Sequence, residues 1–176
     1  MRLTVFCDTD DANDIESRRS MECFLVYLGG GLIAWYAKLQ SRVSLSVSES
    51  EFCCLTPACK SALTSRNLLS EIGLRQKYGT NMYCDNTAAQ TMAQNPFSVH
   101  RTRHIGAQYF LVRQLIDLGV IVVLDIGSNV NVADIGTKML TGMIFNRHQL
   151  ACLDGRTTVA SRIYSKKDTV LNDEYN

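Results

Sequence analysis

No stretch of this chain approaches the ~18 consecutive apolar residues of a membrane-spanning helix, so no membrane partner is expected. No signal peptide and no Arg/Ser-rich presequence stands before the first apolar run. Charge of one sign is also lacking: 18 Lys and Arg face 17 Asp and Glu, for a net charge of +1. Bulk electrostatics therefore do not mark a nucleic-acid binder, and any basic surface must be local. Paired CxxC spacing is missing too. The seven cysteines are an odd number, with Cys53-Cys54 followed by Cys59. They read as reduced, mostly buried thiols of an intracellular protein in a reducing compartment, the cytoplasm or nucleus before an organelle. A zinc site is the weaker alternative, because the ligand spacing is absent. There is no internal repeat and no low-complexity tract.

What is present suffices for one domain. The chain has 176 residues, 46% of them hydrophobic, ample for a core at this length. Residues 3–8 read as a short buried strand, followed by a polar loop over 10–20. Phe24–Leu28 and Leu32–Tyr36 read as a hairpin turning at Gly29-Gly30-Gly31. Residues 42–47 are either a further short strand or an extended approach to a helix. From Ser48, Phe52, Leu55, Cys59, Ala62 or Leu63, and Leu69 recur at helical steps. Pro57 marks a kink or the true start, and Gly73 a stop. A strand over 81–84 precedes a short helix over 86–94, ended near Asn95-Pro96. A helix over 103–118 carries the stripe Ile105, Tyr109, Val112, Leu115 and Ile116. The run 120–124 is the most strand-like in the chain, and a last helix is expected over 132–150. The domain is placed at 1–154, with a polar tail over 155–176 anchored by Ile163, Tyr164 and Leu171 alone. This order predicts an α/β protein with a mixed sheet and helices on its faces. Ligand chemistry is then expected where the loops at the strand ends converge.

Four carboxylates are placed to meet there. Asp8 ends the first apolar run and Glu51 opens the long helix. Asp85 ends Met82-Tyr83-Cys84, and Asp134 follows Asn131-Val132-Ala133. Like charges at one spot repel, so such a cluster makes sense mainly around hard cations that take oxygen ligands, such as Mg²⁺.

Several motifs carry a resemblance. Phe6-Cys7-Asp8-Thr9-Asp10, Leu28-Gly29-Gly30-Gly31-Leu32-Ile33-Ala34-Trp35 and Leu39-Gln40 resemble the ribonuclease H domain of Ty1/copia-type retrotransposon polyproteins. Ser46-Val47-Ser48-Glu49-Ser50-Glu51-Phe52 is similar to that family's serine-rich, double-acidic helix start. Tyr83-Cys84-Asp85-Asn86-Thr87-Ala88-Ala89 matches its third acidic segment. Asn95-Pro96, Arg101-Thr102-Arg103-His104-Ile105 and Tyr109-Phe110-Leu111-Val112-Arg113 follow in the family's order. Asn131-Val132-Ala133-Asp134-Ile135-Gly136-Thr137-Lys138 is the last match. The similarity spans about residues 4–150. Two positions depart: Asp11 stands where the family usually has an aromatic residue, and Cys23 where it commonly has glycine at the start of the second strand.

The resemblance implies an RNase H-like fold and cleavage of the RNA strand of RNA–DNA hybrids. By matching position, Asp8, Glu51, Asp85 and Asp134 would be catalytic and would hold two Mg²⁺ ions, or Mn²⁺, about 4 Å apart around the scissile phosphate. Asp8 is the candidate to bridge both ions. RNA would be told from DNA by 2′-hydroxyl contacts and minor-groove shape. Arg101, Arg103 and His104, at or just before a helix start, and Asn86 are the expected nucleic-acid contacts.

Other readings stand beside these. Ser48-Glu49-Ser50-Glu51 fits a capping box, and Glu49 points to another side of the helix from Glu51. Asp85-Asn86 fits a turn and N-cap, and Asp134 a first-turn acid at a helix dipole. Asp10 and Asp11 read as solvated loop acids. Trp35 reads as a core or sheet-face residue before a base-stacking platform. The alternative function is a domesticated, non-catalytic subunit of a larger assembly that contacts the tail. It draws on Met1 standing directly before the first strand, with no reverse transcriptase, protease or integrase region in the chain. Acids more than about 8 Å apart, or a Lys or Arg plugging the site, would favour that alternative, since two-metal catalysis needs ions roughly 4 Å apart.

Overall fold

The computed structural model describes residues 1–12, 14–94 and 106–153. Arg101, Arg103, His104 and Ile105, the Asn95-Pro96 stop and the tail 155–176 lie outside the described residues. Five strands form one sheet in the order β3-β2-β1-β4-β5. They are β1 (Leu3–Asp10), β2 (Met21–Leu28), β3 (Gly31–Leu39), β4 (Thr80–Cys84) and β5 (Ile121–Asp125). The β1–β2 and β2–β3 pairs are antiparallel, and β1–β4 and β4–β5 are parallel. The helices are α1 (Val47–Glu71), α2 (Thr87–Gln94), α3 (Gly106–Asp117) and α4 (Gly142–Leu153). This mixed sheet with its helices is compatible with the RNase H-like fold.

Strand β1 lies at the centre and is buried from Leu3 to Thr9. Alternation sends Leu3, Val5 and Cys7 to one face, into a core with Phe52, Leu55, Cys59 and Ala62 of α1 and Val112 and Leu115 of α3. Phe6 points to the other face, among Tyr27, Tyr83, Val132 and Ala151. Its ring stacks on Tyr83 at 5.1 Å and meets Tyr27 edge-on at 5.6 Å. The cysteines are unbridged, and six of the seven are buried in these two cores.

Several elements differ from their expected bounds. Strands β2 and β3 run longer than the hairpin read from the sequence, and residues 42–46 form no strand. Helix α1 begins at Val47 and runs through Pro57 without ending there. Its N-cap is Ser46, whose hydroxyl accepts from the Glu49 amide at 3.2 Å, while the Glu49 carboxylate accepts from the Leu45 amide at 3.0 Å. The cap is therefore built by Ser46 and Glu49, two residues earlier than the Ser48–Glu51 alternative. The single helix expected over 132–150 is broken. Two 3₁₀ turns, Ser128–Val130 and Val132–Gly136, come first, and α4 starts only at Gly142. Trp35 is not a core residue. It is 72% exposed on a face of the edge strand β3.

Gly136 ends the second 3₁₀ turn in close contact with β2. A Cβ there would lie 2.4 Å from Cys23 Sγ and 2.9 Å from Cys23 Cβ. Gly136→Ala should lower stability by about 1–3 kcal/mol, as overpacking does, read from the denaturant midpoint. Adding Cys23→Ala should restore part of that loss. A double variant whose effects simply add would show that this contact is not the cause.

Candidate metal centre

The strand register brings two acids side by side. Strands β1 and β4 pair Thr4 with Asn81, Val5 with Met82 and Phe6 with Tyr83. The same offset carried on sets Asp8 beside Asp85, at the carboxyl ends of parallel strands. Asp134 arrives from the 3₁₀ turn Val132–Gly136. The buried Asn131 side chain fixes that turn, donating from Nδ2 to the Cys7 carbonyl at 3.0 Å and accepting from the Ala133 amide at 3.3 Å. Glu51 is held by the first turns of α1. There Gln40 Nε2 donates to the Ser50 carbonyl at 2.8 Å, and the Ser50 and Thr9 hydroxyls meet at 3.1 Å.

These ties bring all four acids to one place, in two overlapping groups. Asp8, Asp85 and Asp134 offer carboxylate oxygens within 4.8 Å of one another, and so do Glu51 and Asp85 together with the Cys84 thiol. The Cys84 Sγ lies 3.9 Å from Glu51 Oε2. Asp85 is common to both groups, whereas the expected bridge was Asp8. Within each group the separations lie inside the limit set for a two-ion site.

A cation already stands among the acids. Lys138 Nζ lies 3.0 Å from Asp8 Oδ1 and 2.9 Å from Asp134 Oδ1. The Thr137 hydroxyl donates to the other oxygen of Asp8. Lys138 and Asn131 fall in the last matched motif, yet the sequence assigned neither a role. The opposite charge four residues after Asp134 was the available signal for Lys138.

Burial dominates the electrostatics. Asp8 is 0% exposed, and burial pushes its carboxyl up to about 7, opposed by the Thr137 hydroxyl and the Lys138 charge and reinforced by Asp134. Glu51 is pushed up to about 10 by burial and then by Cys84, Asp8 and Asp85. Asp85 is raised by burial, against the pull of Lys138. Burial alone would lower the Lys138 ammonium, but Asp8 and Asp134 hold it well above its usual range. The donor set fits a hard divalent cation, since carboxylate oxygens converge on a spot that already accommodates an ammonium. Asp8, Glu51, Asp85 and Asp134 would hold it.

The other expected residues divide. The Asn86 side chain caps α2, its Oδ1 accepting from the Ala89 amide at 2.9 Å. Asp11 accepts from the Ser20 hydroxyl at 3.1 Å, away from the cluster. The sequence reading also missed His148 of α4. It is 0% exposed, and neither ring nitrogen has a hydrogen-bond partner among the described residues. Burial and the Arg147 charge lower its pKa, against the pull of Asp134.

A carboxyl whose pKa is raised on folding binds its proton more tightly in the folded state. Its contribution to stability is then lost as pH rises from the ordinary value of 3.8 through about 7. In the metal-free protein, Asp8→Asn should remove this loss. The stability difference, wild type minus variant, should fall as pH rises across that window in urea titrations. A flat difference would contradict the raised Asp8.

No family model matches the chain. Over 138 residues, 78% of the chain, it is 36% identical to the retrovirus-related Pol polyprotein from transposon TNT 1-94 of Nicotiana tabacum. It is 29% and 30% identical to the corresponding polyproteins from transposons RE2 and RE1 of Arabidopsis thaliana, each over 145 residues or 82% of the chain. In each case the match covers 10% of the relative's length, so the chain spans about a tenth of the relatives it resembles. Its homologues over about 80% of its length are therefore retrovirus-related Pol polyproteins of the Ty1/copia type.

Proposed function

We propose that this retrotransposon-derived domain hydrolyses the RNA strand of RNA–DNA hybrids at a two-ion Mg²⁺ centre, with Mn²⁺ as a substitute. The observation that carries the reading is the convergence of Asp8, Asp85 and Asp134 within 4.8 Å, with Asp85 also in reach of Glu51. Similarity to transposon Pol polyproteins supports the same class of substrate. When bound, the ions supply Lewis acidity at the phosphate and a water of lowered pKa.

The chain's own groups set the stage for that chemistry. Asp8 is fixed by the Thr137 hydroxyl and the central strand, so its carboxylate needs no reorientation to act as a ligand. Glu51 holds its proton at neutral pH in the metal-free protein, with a pKa near 10, and would release it on binding a cation. Arg101, Arg103 and His104 would meet the backbone of the hybrid, and 2′-hydroxyl contacts would select RNA. Asn86 is better placed as a helix cap.

A second reading has one specific observation in its favour. Lys138 occupies the cluster with two short ion pairs, as a subunit that had given up metal for a structural role would require. Retention of all four acids in one pocket favours the enzyme.

A labelled RNA–DNA hybrid incubated with Mg²⁺ distinguishes the two. The wild-type chain should cleave the RNA strand, and chelation should abolish cleavage. Asp85→Asn should slow it by at least about 100-fold, the cost of losing a few kcal/mol of transition-state stabilisation. Cleavage by neither protein would remove the enzymatic reading, and equal cleavage by both would identify a contaminant.

A further inference from the structure

The Lys138 side chain differs from the other groups in the cluster by having somewhere else to go. Its backbone is fixed, with the Lys138 amide donating to the Asp134 carbonyl at 3.0 Å. Its side chain is 34% exposed and ends a flexible four-carbon stem. The acids it neutralises are buried, Asp8 fully and Asp134 nearly so. Asp8 also accepts from the Thr137 hydroxyl at its second oxygen, a bond that does not involve the ammonium.

We propose that Lys138 is an intramolecular competitor for the divalent cations, holding Asp8 and Asp134 together in the metal-free protein and leaving when a cation takes its place. This rests on reading the acids as a metal centre. Charge makes the two compete. The ammonium sits 3.0 and 2.9 Å from one oxygen of each acid. A hard cation such as Mg²⁺ would approach carboxylate oxygens to about 2.0–2.1 Å. The oxygens have lone pairs for both, but an ammonium and a divalent cation packed so closely repel, and each weakens the hold of the other.

The arrangement has two consequences. Without metal, two buried carboxylates would face each other unpaired, which is costly, and the ammonium offsets that cost. With metal, the lost ion pairs subtract from the binding free energy, so Lys138 raises the concentration at which the site loads. The lysine would then swing to solvent through its exposed edge without moving the turn that carries Asp134.

The test uses the full chain, titrated with Mn²⁺ and followed by the electron paramagnetic resonance of the free ion. Lys138→Met and Lys138→Gln should bind Mn²⁺ roughly tenfold more tightly than wild type, a shift worth about 1.4 kcal/mol. In a parallel measurement on wild type, an amine-acylating reagent read by mass spectrometry should modify Lys138 faster in saturating Mg²⁺ than in chelator. Wild-type binding with no gain in either variant, and acylation indifferent to Mg²⁺, would overturn the competitor role and leave the metal centre standing. Failure of wild type and both variants to bind Mn²⁺ any better than Asp85→Asn would overturn the metal centre itself, and this inference with it. If neither variant folds, the acylation rate in wild type decides: faster with Mg²⁺ supports displacement, and unchanged refutes it.

Discussion

Repulsion among carboxylates at one end of the sheet is the constraint around which this molecule is arranged. Asp8 lies on the central strand with no solvent to stabilise its charge. Asp85 and Asp134 approach it within 4.8 Å, and Glu51 joins from the long helix. Such a cluster persists only where something holds the backbone against it and a positive charge stands nearby. Each tie is a particular side-chain hydrogen bond: Asn131 Nδ2 to the Cys7 carbonyl, Gln40 Nε2 to the Ser50 carbonyl, and the Thr9 hydroxyl with that of Ser50. The Lys138 ammonium and the Thr137 hydroxyl complete the balance.

The two cores serve this arrangement from opposite faces. Helix α1 is clamped by the aliphatic and thiol side chains of β1 and β4, which sets the height of Glu51 at the sheet's end. The aromatic trio Phe6, Tyr27 and Tyr83 supports the opposite face, beneath the turn that carries Asp134. Gly136 lets that turn lie against Cys23. Cys23 departs from the glycine common in the resembling family, so the missing side chain here is on the turn rather than on the strand.

The four acids were legible in the sequence because each stands next to a run whose periodicity announces an element end. The order of elements along the chain and the buried face of the long helix were legible from apolar spacing: Phe52, Leu55, Cys59 and Ala62 fall on one side of α1 and are buried, whereas the order of strands in the sheet was not. What sequence could not show were bonds between distant residues. Asn131 reaches back across the chain to Cys7, and its side chain shapes a 3₁₀ turn where apolar spacing implied continuous helix. Lys138 looks like an ordinary surface charge until the fold places Asp8 beside it. On paper Glu51 is the capping acid, paired with Ser48, and only the start of the helix at Ser46 gives that role to Glu49. Trp35 lies across from Leu25 on an edge strand. Of the two places its size allowed, core or sheet face, it takes the exposed face.

The tie between the Asn131 side chain and the Cys7 carbonyl joins β1 to a turn that follows β5, so the pocket closes only when the whole segment from Cys7 to Asn131 is in place. A ribosome that has released the chain only as far as β5 has delivered three of the acids but neither Asp134 nor Lys138. Such a nascent chain lacks a finished cation pocket, however well its hairpin and long helix have already formed. The order of translation thus withholds the complete cluster of acids until the scaffold able to restrain its mutual repulsion exists.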